Sequence, residues 1–124
     1  MQIERVLMVD DDPAIRKIGE ICLSRVGHWQ VMMACSGSEA LEIGPGFRPD
    51  VILLDVMMPG MDGPATLKRL QANAEVGDTP VIFMTAKVQS HEIDAYSKLG
   101  AAGVISKPFD PMTLPSEIRQ ILTT

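Results

Sequence analysis

Short runs of consecutive apolar residues alternate along the chain with longer stretches in which apolar positions recur every three or four residues. That alternation predicts strand and helix in repeated succession. Five runs read as strands: Arg5 to Val9, Trp29 to Ala34, Val51 to Leu54, Val81 to Met84 and Gly103 to Ser106. Most are apolar at nearly every position rather than at every second one, as parallel strands covered on both faces should be.

The stretches between them carry helix start and stop signals. Pro13 suits a first helical turn, Asp12 can cap it and Gly27 can end it. Ser36 can cap a second helix through Glu39 to Ile43, which Gly44-Pro45-Gly46 is expected to cut about a turn shorter than its neighbours. Pro64 opens a third helix, and Gly77-Asp78-Thr79-Pro80 separates it from the fourth strand. Gly100 ends a fourth helix and Asp110-Pro111 starts a fifth.

A strand-helix unit repeated five times predicts a three-layer α/β domain, and right-handed crossovers leave few ways to wind it. The common order for five parallel strands is 2-1-3-4-5, a doubly wound sheet with helices on two faces. The 124 residues fit one domain, 1–124, able to bury roughly 68 to 70% of its unfolded surface. No repeat, linker or low-complexity segment interrupts it.

Composition narrows the function classes. The chain is 46% apolar, 22% charged and 4% aromatic, with no apolar stretch approaching the length of about 20 residues that a membrane span needs. Its first residues, Met1-Gln2-Ile3-Glu4-Arg5, lack a signal peptide's basic and long apolar regions, so a cytoplasmic location is expected. A net charge of −5 without a Lys/Arg cluster argues against direct binding to nucleic acid or an anionic membrane. Cys22 and Cys35 have neither C-x-x-C nor zinc spacing and read as reduced packing thiols.

The candidate chemistry lies at the strand ends. The run Val51-Ile52-Leu53-Leu54 closes on Asp55, and Arg5-Val6-Leu7-Met8-Val9 runs into Asp10-Asp11-Asp12. In the predicted order the first and third strands are neighbours, so Asp10, Asp11 and Asp55 meet in the crevice at the carboxyl ends. Crowded carboxylates are relieved by protonation or by a bound cation, and the cation is the favoured reading. Thr85 ends the fourth strand and Lys107 follows the fifth. Lys107 starts roughly 10 Å from Asp55 by sheet spacing, a gap its side chain can largely cover. Acids, a hydroxyl and an ammonium then face one small volume. A hard divalent cation and an ammonium could there neutralise a phosphoryl group while a carboxylate attacks it. Asp55, central in the set, is the natural nucleophile, with Asp10 and Asp11 placed to hold Mg²⁺ directly or through its waters.

The segments Val9-Asp10-Asp11-Asp12-Pro13, Leu54 to Gly63, Thr85-Ala86 and Lys107-Pro108-Phe109 come in order, each at a strand end, and are spread along nearly the whole chain. In these the sequence resembles the receiver domains of two-component response regulators. The resemblance implies a flavodoxin-like fold and a phosphoacceptor, Asp55, loaded from a phosphohistidine on a sensor histidine kinase or histidine phosphotransfer protein. It implies Mg²⁺ held by Asp10, Asp11, Asp55 and the backbone carbonyl of Met57. Thr85 becomes the phosphate-sensing hydroxyl and Lys107 the phosphate-contacting ammonium, and Asp12 is left to cap a helix. Ala86 leaves a path to Asp55, and the Lys107-Pro108 bond is expected to be cis. No turnover of a separate substrate is implied. With the sequence stopping at Thr124, the expectation is a stand-alone receiver that acts by contact with an unidentified protein through its fourth helix, fifth strand and fifth helix, or passes the phosphoryl group on.

Many relatives carry a Tyr or Phe three residues before the lysine, where this chain has Val104. Signalling by displacement of the loop after Thr85 and of the fourth helix is expected instead. Other classes fare worse. A phosphatase of the haloacid dehalogenase type wants an Asp two residues after its nucleophile, and that position is Met57. A flavin carrier wants a hydroxyl- and glycine-rich phosphate loop after the first strand, where Asp10-Asp11-Asp12 would repel phosphate. A degenerate docking receiver would lack some phosphorylation residues, yet all are present. His28 and His91 read as surface histidines. Met8, Met33 and Met84 read as core, while Met57, Met58 and Met61 surround the acidic turn and can tune access to it. Tyr96, one helical turn after Ile93, reads as core packing more than partner contact.

Overall fold

The computed structural model describes residues 2–86 and 88–123. Five parallel strands, β1 (Arg5–Val9), β2 (Gln30–Ala34), β3 (Val51–Asp55), β4 (Val81–Thr85) and β5 (Gly103–Ser106), form one sheet in the order β2-β1-β3-β4-β5. The expected fold class and winding are therefore present. Five α-helices connect them: α1 (Pro13–Ile21), α2 (Gly37–Phe47), α3 (Gly63–Gln71), α4 (Ser90–Lys98) and α5 (Leu114–Thr123). None of the described helices is long and apolar enough to cross a membrane.

Alternation along the central strands divides the core in two. Leu7, Val9, Ile52, Leu54, Val81 and Phe83 face the layer of α2 and α3, where Ala40, Leu67 and Leu70 cover them. Val6, Met8, Val51, Leu53, Ile82 and Met84 face the opposite layer, covered by Leu23 after α1 and by Leu114 and Ile118 of α5. Every residue of β3 and β4 is buried, which explains their unbroken apolar runs. Met8 and Met84 are fully buried and Met33 is half-buried against the same cluster, as expected.

The helix starts follow side-chain chemistry. Asp12 Oδ1 accepts from the Ala14 N–H at 2.9 Å, and Ser36 Oγ accepts from the Glu39 N–H at 3.1 Å. Glu39 reaches back to accept from the Cys35 N–H at 2.7 Å. Asp62 caps α3 through the Ala65 N–H at 2.9 Å.

Two expectations about helices need correction, and a third is met with an irregularity. α2 is not shortened: it runs eleven residues, with Pro45 inside it, against nine for α3 and α4. Pro45 falls in the final turn and withdraws the N–H that the Leu41 carbonyl would accept, but Leu41, Ile43 and Phe47 all pack on the core and hold the helix through it. Arg48 closes the helix in a left-handed conformation (φ 54°), its N–H donating to the Gly44 carbonyl. The helical run that opens with α1 ends at Gly27 as expected, but through a π-helical turn, Cys22–Val26, closed by the Gly27 N–H on the Cys22 carbonyl. α5 begins at Leu114, a turn after Asp110-Pro111, because Asp110 first organises a lead-in turn through Met112 N–H on Oδ1 and Leu114 N–H on its carbonyl.

Candidate functional site

β1 and β3 pair in register, Val9 beside Leu54, so the next residues, Asp10 and Asp55, leave adjacent strands side by side. Thr85 pairs with Ser106 at the end of β4 and β5, which puts Lys107 one step beyond. The Lys107 N–H donates to the Thr85 carbonyl at 2.9 Å, and the Lys107-Pro108 bond is cis, as expected. Strand register alone thus brings four separate segments to one crevice.

The crevice is a cleft of about 310 Å³ lined by Asp10, Asp11, Asp55, Met57, Thr85 and Lys107, among others. Lys107 covers the expected gap completely: Nζ lies 2.7 Å from Asp10 Oδ2 and 3.1 Å from Asp55 Oδ1. Asp10 is fully buried, and Asp55 and Thr85 are each 4% exposed. Asp10 Oδ1 accepts from the Asp12 N–H at 2.9 Å, whereas no donor among the described residues other than the ammonium reaches its buried Oδ2. Asp11 is exposed, and Met57 stands 77% exposed on the cleft wall.

Burial raises the Asp55 carboxyl above its ordinary range, and the Asp10 charge adds to the rise. The hydrogen bond and charge of Lys107, and a hydrogen bond from the Met57 backbone, oppose it without cancelling it. For Lys107, burial disfavours the charged form most, but hydrogen bonds and charges from Asp10 and Asp55 outweigh it, so its affinity for the proton rises. The ammonium is fully protonated at neutral pH and bridges two carboxylates.

Oxygen atoms of Asp10, Asp11 and Asp55 lie within 4.8 Å of one another. Three converging carboxylates are hard oxygen donors of the kind that Mg²⁺ and Ca²⁺ accept, so the residues fit a divalent cation, with Met57 on the same wall. A larger cavity of about 380 Å³, lined by Ile3, His28, Trp29 and Arg119 among others, has no Asp or Glu among the described residues of its lining. Its chemistry separates it from the acidic cleft.

Every residue singled out for the site from sequence lies on this cleft: Asp10, Asp11, Asp55, Met57, Thr85 and Lys107. Asp12 also lines it while capping α1. Sequence reasoning missed Arg16, whose Nη1 donates to the Asp10 carbonyl at 2.8 Å and braces the acidic loop from α1. Its place one helical turn after Asp12 was an available signal. Gly63 was also missed: a Cβ there would stand 2.6 Å from the Asp55 carbonyl oxygen, and its N–H closes the turn by donating to the Val56 carbonyl.

Comparison with known proteins agrees with this geometry. A family model described as the response regulator receiver domain matches residues 6–119. The chain is 39% identical over 119 residues to a probable transcriptional regulator, ycf27, of Guillardia theta, a match covering 96% of this chain and 45% of that protein. It is 37% identical over 117 residues to the transcriptional regulatory protein CseB of Streptomyces coelicolor, covering 94% of this chain and 48% of that one. Among solved structures, the chemotaxis protein CheY4 of Vibrio cholerae superposes with a TM-score of 0.88 at 32% identity, covering 97% of this chain and 99% of that chain. The chain spans about half the length of the curated relatives it matches.

Proposed function

The chain belongs to the response regulator receiver domain family, and from that premise we propose that Asp55 is its phosphoacceptor, loaded by a phosphohistidine on a histidine kinase or histidine phosphotransfer protein. The observation that carries this reading is Lys107 Nζ lying 2.7 Å from Asp10 and 3.1 Å from Asp55 at the mouth of an open acidic cleft.

An oxygen of the Asp55 carboxylate attacks phosphorus, the phosphorus–nitrogen bond breaks, and the imidazole nitrogen leaves with the electron pair. The product is an acyl phosphate on Asp55. Lys107 meets the incoming negative charge, and Thr85 at the end of β4 offers its hydroxyl to a phosphoryl oxygen. Asp10, Asp11, Asp55 and the Met57 carbonyl would hold Mg²⁺, which supplies further neutralisation of phosphoryl charge. Asp10 orients Lys107, and Arg16 steadies the loop that carries Asp10. Phosphoryl transfer rests on positioning and charge neutralisation, so no side chain is needed as general base.

In this reading residues 1–124 act as one cytoplasmic receiver unit that catalyses its own loading and unloading, turns over no separate substrate, and passes its signal by protein contact. Incubation with acetyl phosphate and Mg²⁺ followed by intact mass measurement tests it. A labile addition of one phosphoryl group is expected, absent from Asp55→Asn and from samples in chelator. Addition that persists in Asp55→Asn would overturn the assignment.

A further inference from the structure

Helix α4 is bound to the sheet more lightly than its neighbours. None of its residues is buried, and Ile93 is 40% exposed on it. Its half-buried positions, Glu92 and Tyr96, lie one turn apart. The Tyr96 ring meets Phe83 of β4 edge to face, with centroids 5.0 Å apart and planes at 62°. Val104 of β5 packs against the same cluster.

Phe83 is fully buried and stands two residues before Thr85, so both side chains leave the same face of β4. Its Cε1 lies 3.2 Å from the point where a Cβ on Gly63 would stand, and that point is 2.6 Å from the Asp55 carbonyl oxygen. One ring therefore touches the close of the Asp55 turn on one side and the anchor of α4 on the other.

We infer that Tyr96 is the latch of α4: its edge contact with Phe83 holds the helix down while the cleft is empty, and loading the cleft releases it. The inference rests on the reading of Asp55 as phosphoacceptor and adds the route by which the site controls a distant face. An anion on Asp55 draws the β3–α3 turn and the end of β4 toward the cleft. Phe83 moves with them because it is packed against both. The helix has no buried residue to keep it in place once the ring contact is lost. A contact made only in the empty state opposes loading, and by reciprocity its removal tightens binding at the site.

Tyr96 is the single tyrosine of the chain, so incorporation of 3-fluorotyrosine places one fluorine reporter on the latch. Beryllofluoride with Mg²⁺ serves as the phosphoryl mimic, and amide shifts over residues 55–63 are followed in the same sample. Loading is expected to shift or split the fluorine resonance, with no change in Asp55→Asn. Tyr96→Phe should bind beryllofluoride as the wild type does. Tyr96→Ala should bind about two- to tenfold more tightly, the equivalent of one aromatic edge contact. Tyr96→Leu, which keeps apolar bulk without the ring edge, should do the same if the alanine variant folds poorly. If the amides shift while fluorine stays silent, or if the alanine and leucine variants bind as wild type, Tyr96 is ordinary packing and the latch is overturned. If the amides are also silent, the phosphoacceptor reading fails and the latch falls with it.

Discussion

Replacing Lys107 by alanine should destabilise the metal-free protein by about 3 kcal/mol, because it strands two neighbouring carboxylates. At an effective dielectric constant of about 20, unit charges 2.7 and 3.1 Å apart attract by about 6 and 5 kcal/mol, and two carboxylates up to 4.8 Å apart repel by at least about 3.5. Desolvation consumes much of the attraction, so the pair as a whole adds little, but removal of one partner from a buried pair costs about 3 to 5 kcal/mol. The open cleft puts this case at the lower end, equivalent to a urea midpoint about 1.5 M lower at a slope near 2 kcal/mol per molar. Urea melts in chelator at pH 7.5 measure it. The double variant Lys107→Ala with Asp55→Asn should recover most of the loss, as should Mg²⁺ added to the single variant. Because the lysine's proton affinity is raised in the folded state, its contribution is complete below its unfolded pKa and fades as pH climbs through the folded one. The gap between wild type and variant should hold from pH 7 to about 10 and close above that. Asp55, also raised, behaves alike in sign: its charged form is the costly one, so acid relieves the variant. A double variant no more stable than Lys107→Ala would refute the electrostatic account.

Gly63→Ala should cost about 1 to 3 kcal/mol in the same melts, because its Cβ would meet backbone on two sides, 2.6 Å from the Asp55 carbonyl oxygen and 2.8 Å from Val56 Cα; an unchanged midpoint would show that the turn yields freely. Iodoacetamide on the native protein at pH 8 should label exposed Cys35 and spare Cys22, whose thiol is pushed up to about 11 by burial and by the Asp110 charge. Roughly one part in a thousand of Cys22 is then thiolate, so equal labelling by peptide mass would contradict the burial. Arg119→Ala removes a guanidinium 4.7 Å from the Trp29 ring centroid and a hydrogen bond to the Gly27 carbonyl. A loss of about 1 kcal/mol and a change in emission from Trp29, the single tryptophan, are expected; identical spectra would deny the stacking.

The strands and the acidic cleft could be read from sequence because both obey short-range rules. An apolar run long enough for a buried strand, closed abruptly by an acid, leaves one geometric outcome once parallel winding is granted, and Asp10 and Asp55 follow from it. Helix α2 shows where such rules give out. Gly44-Pro45-Gly46 is a strong local stop, yet Phe47 beyond it packs on the core and carries the helix through. The π-helical turn after α1 has no composition signal, since an extra residue in a turn is visible only against what the helix packs on. Arg16 and Gly63 escaped notice for a related reason. Their partners are backbone carbonyls, which are the same in every sequence. Lys107 could be placed near Asp55 by strand counting, but its closer approach to Asp10 depends on the conformation its long side chain takes.

These features describe a domain whose firmness is unevenly spread, and the unevenness falls in a useful place. β3 and β4 are buried at every position and fix Asp55 and Thr85 against small forces. β5 at the sheet edge has one buried residue and α4 has none. Regions with few buried contacts open at low cost, whereas core strands open only with the whole domain. The central strands can give only a little to a charge change at Asp55 without breaking both halves of the core. It is relieved more cheaply at the β4–α4–β5 edge, where the chain from Asp55 through Gly63 and Phe83 ends on one aromatic contact. On the proposed reading the cleft supplies the force, the central sheet passes on only a small shift through Phe83, and the lightly held helix is the part left to move.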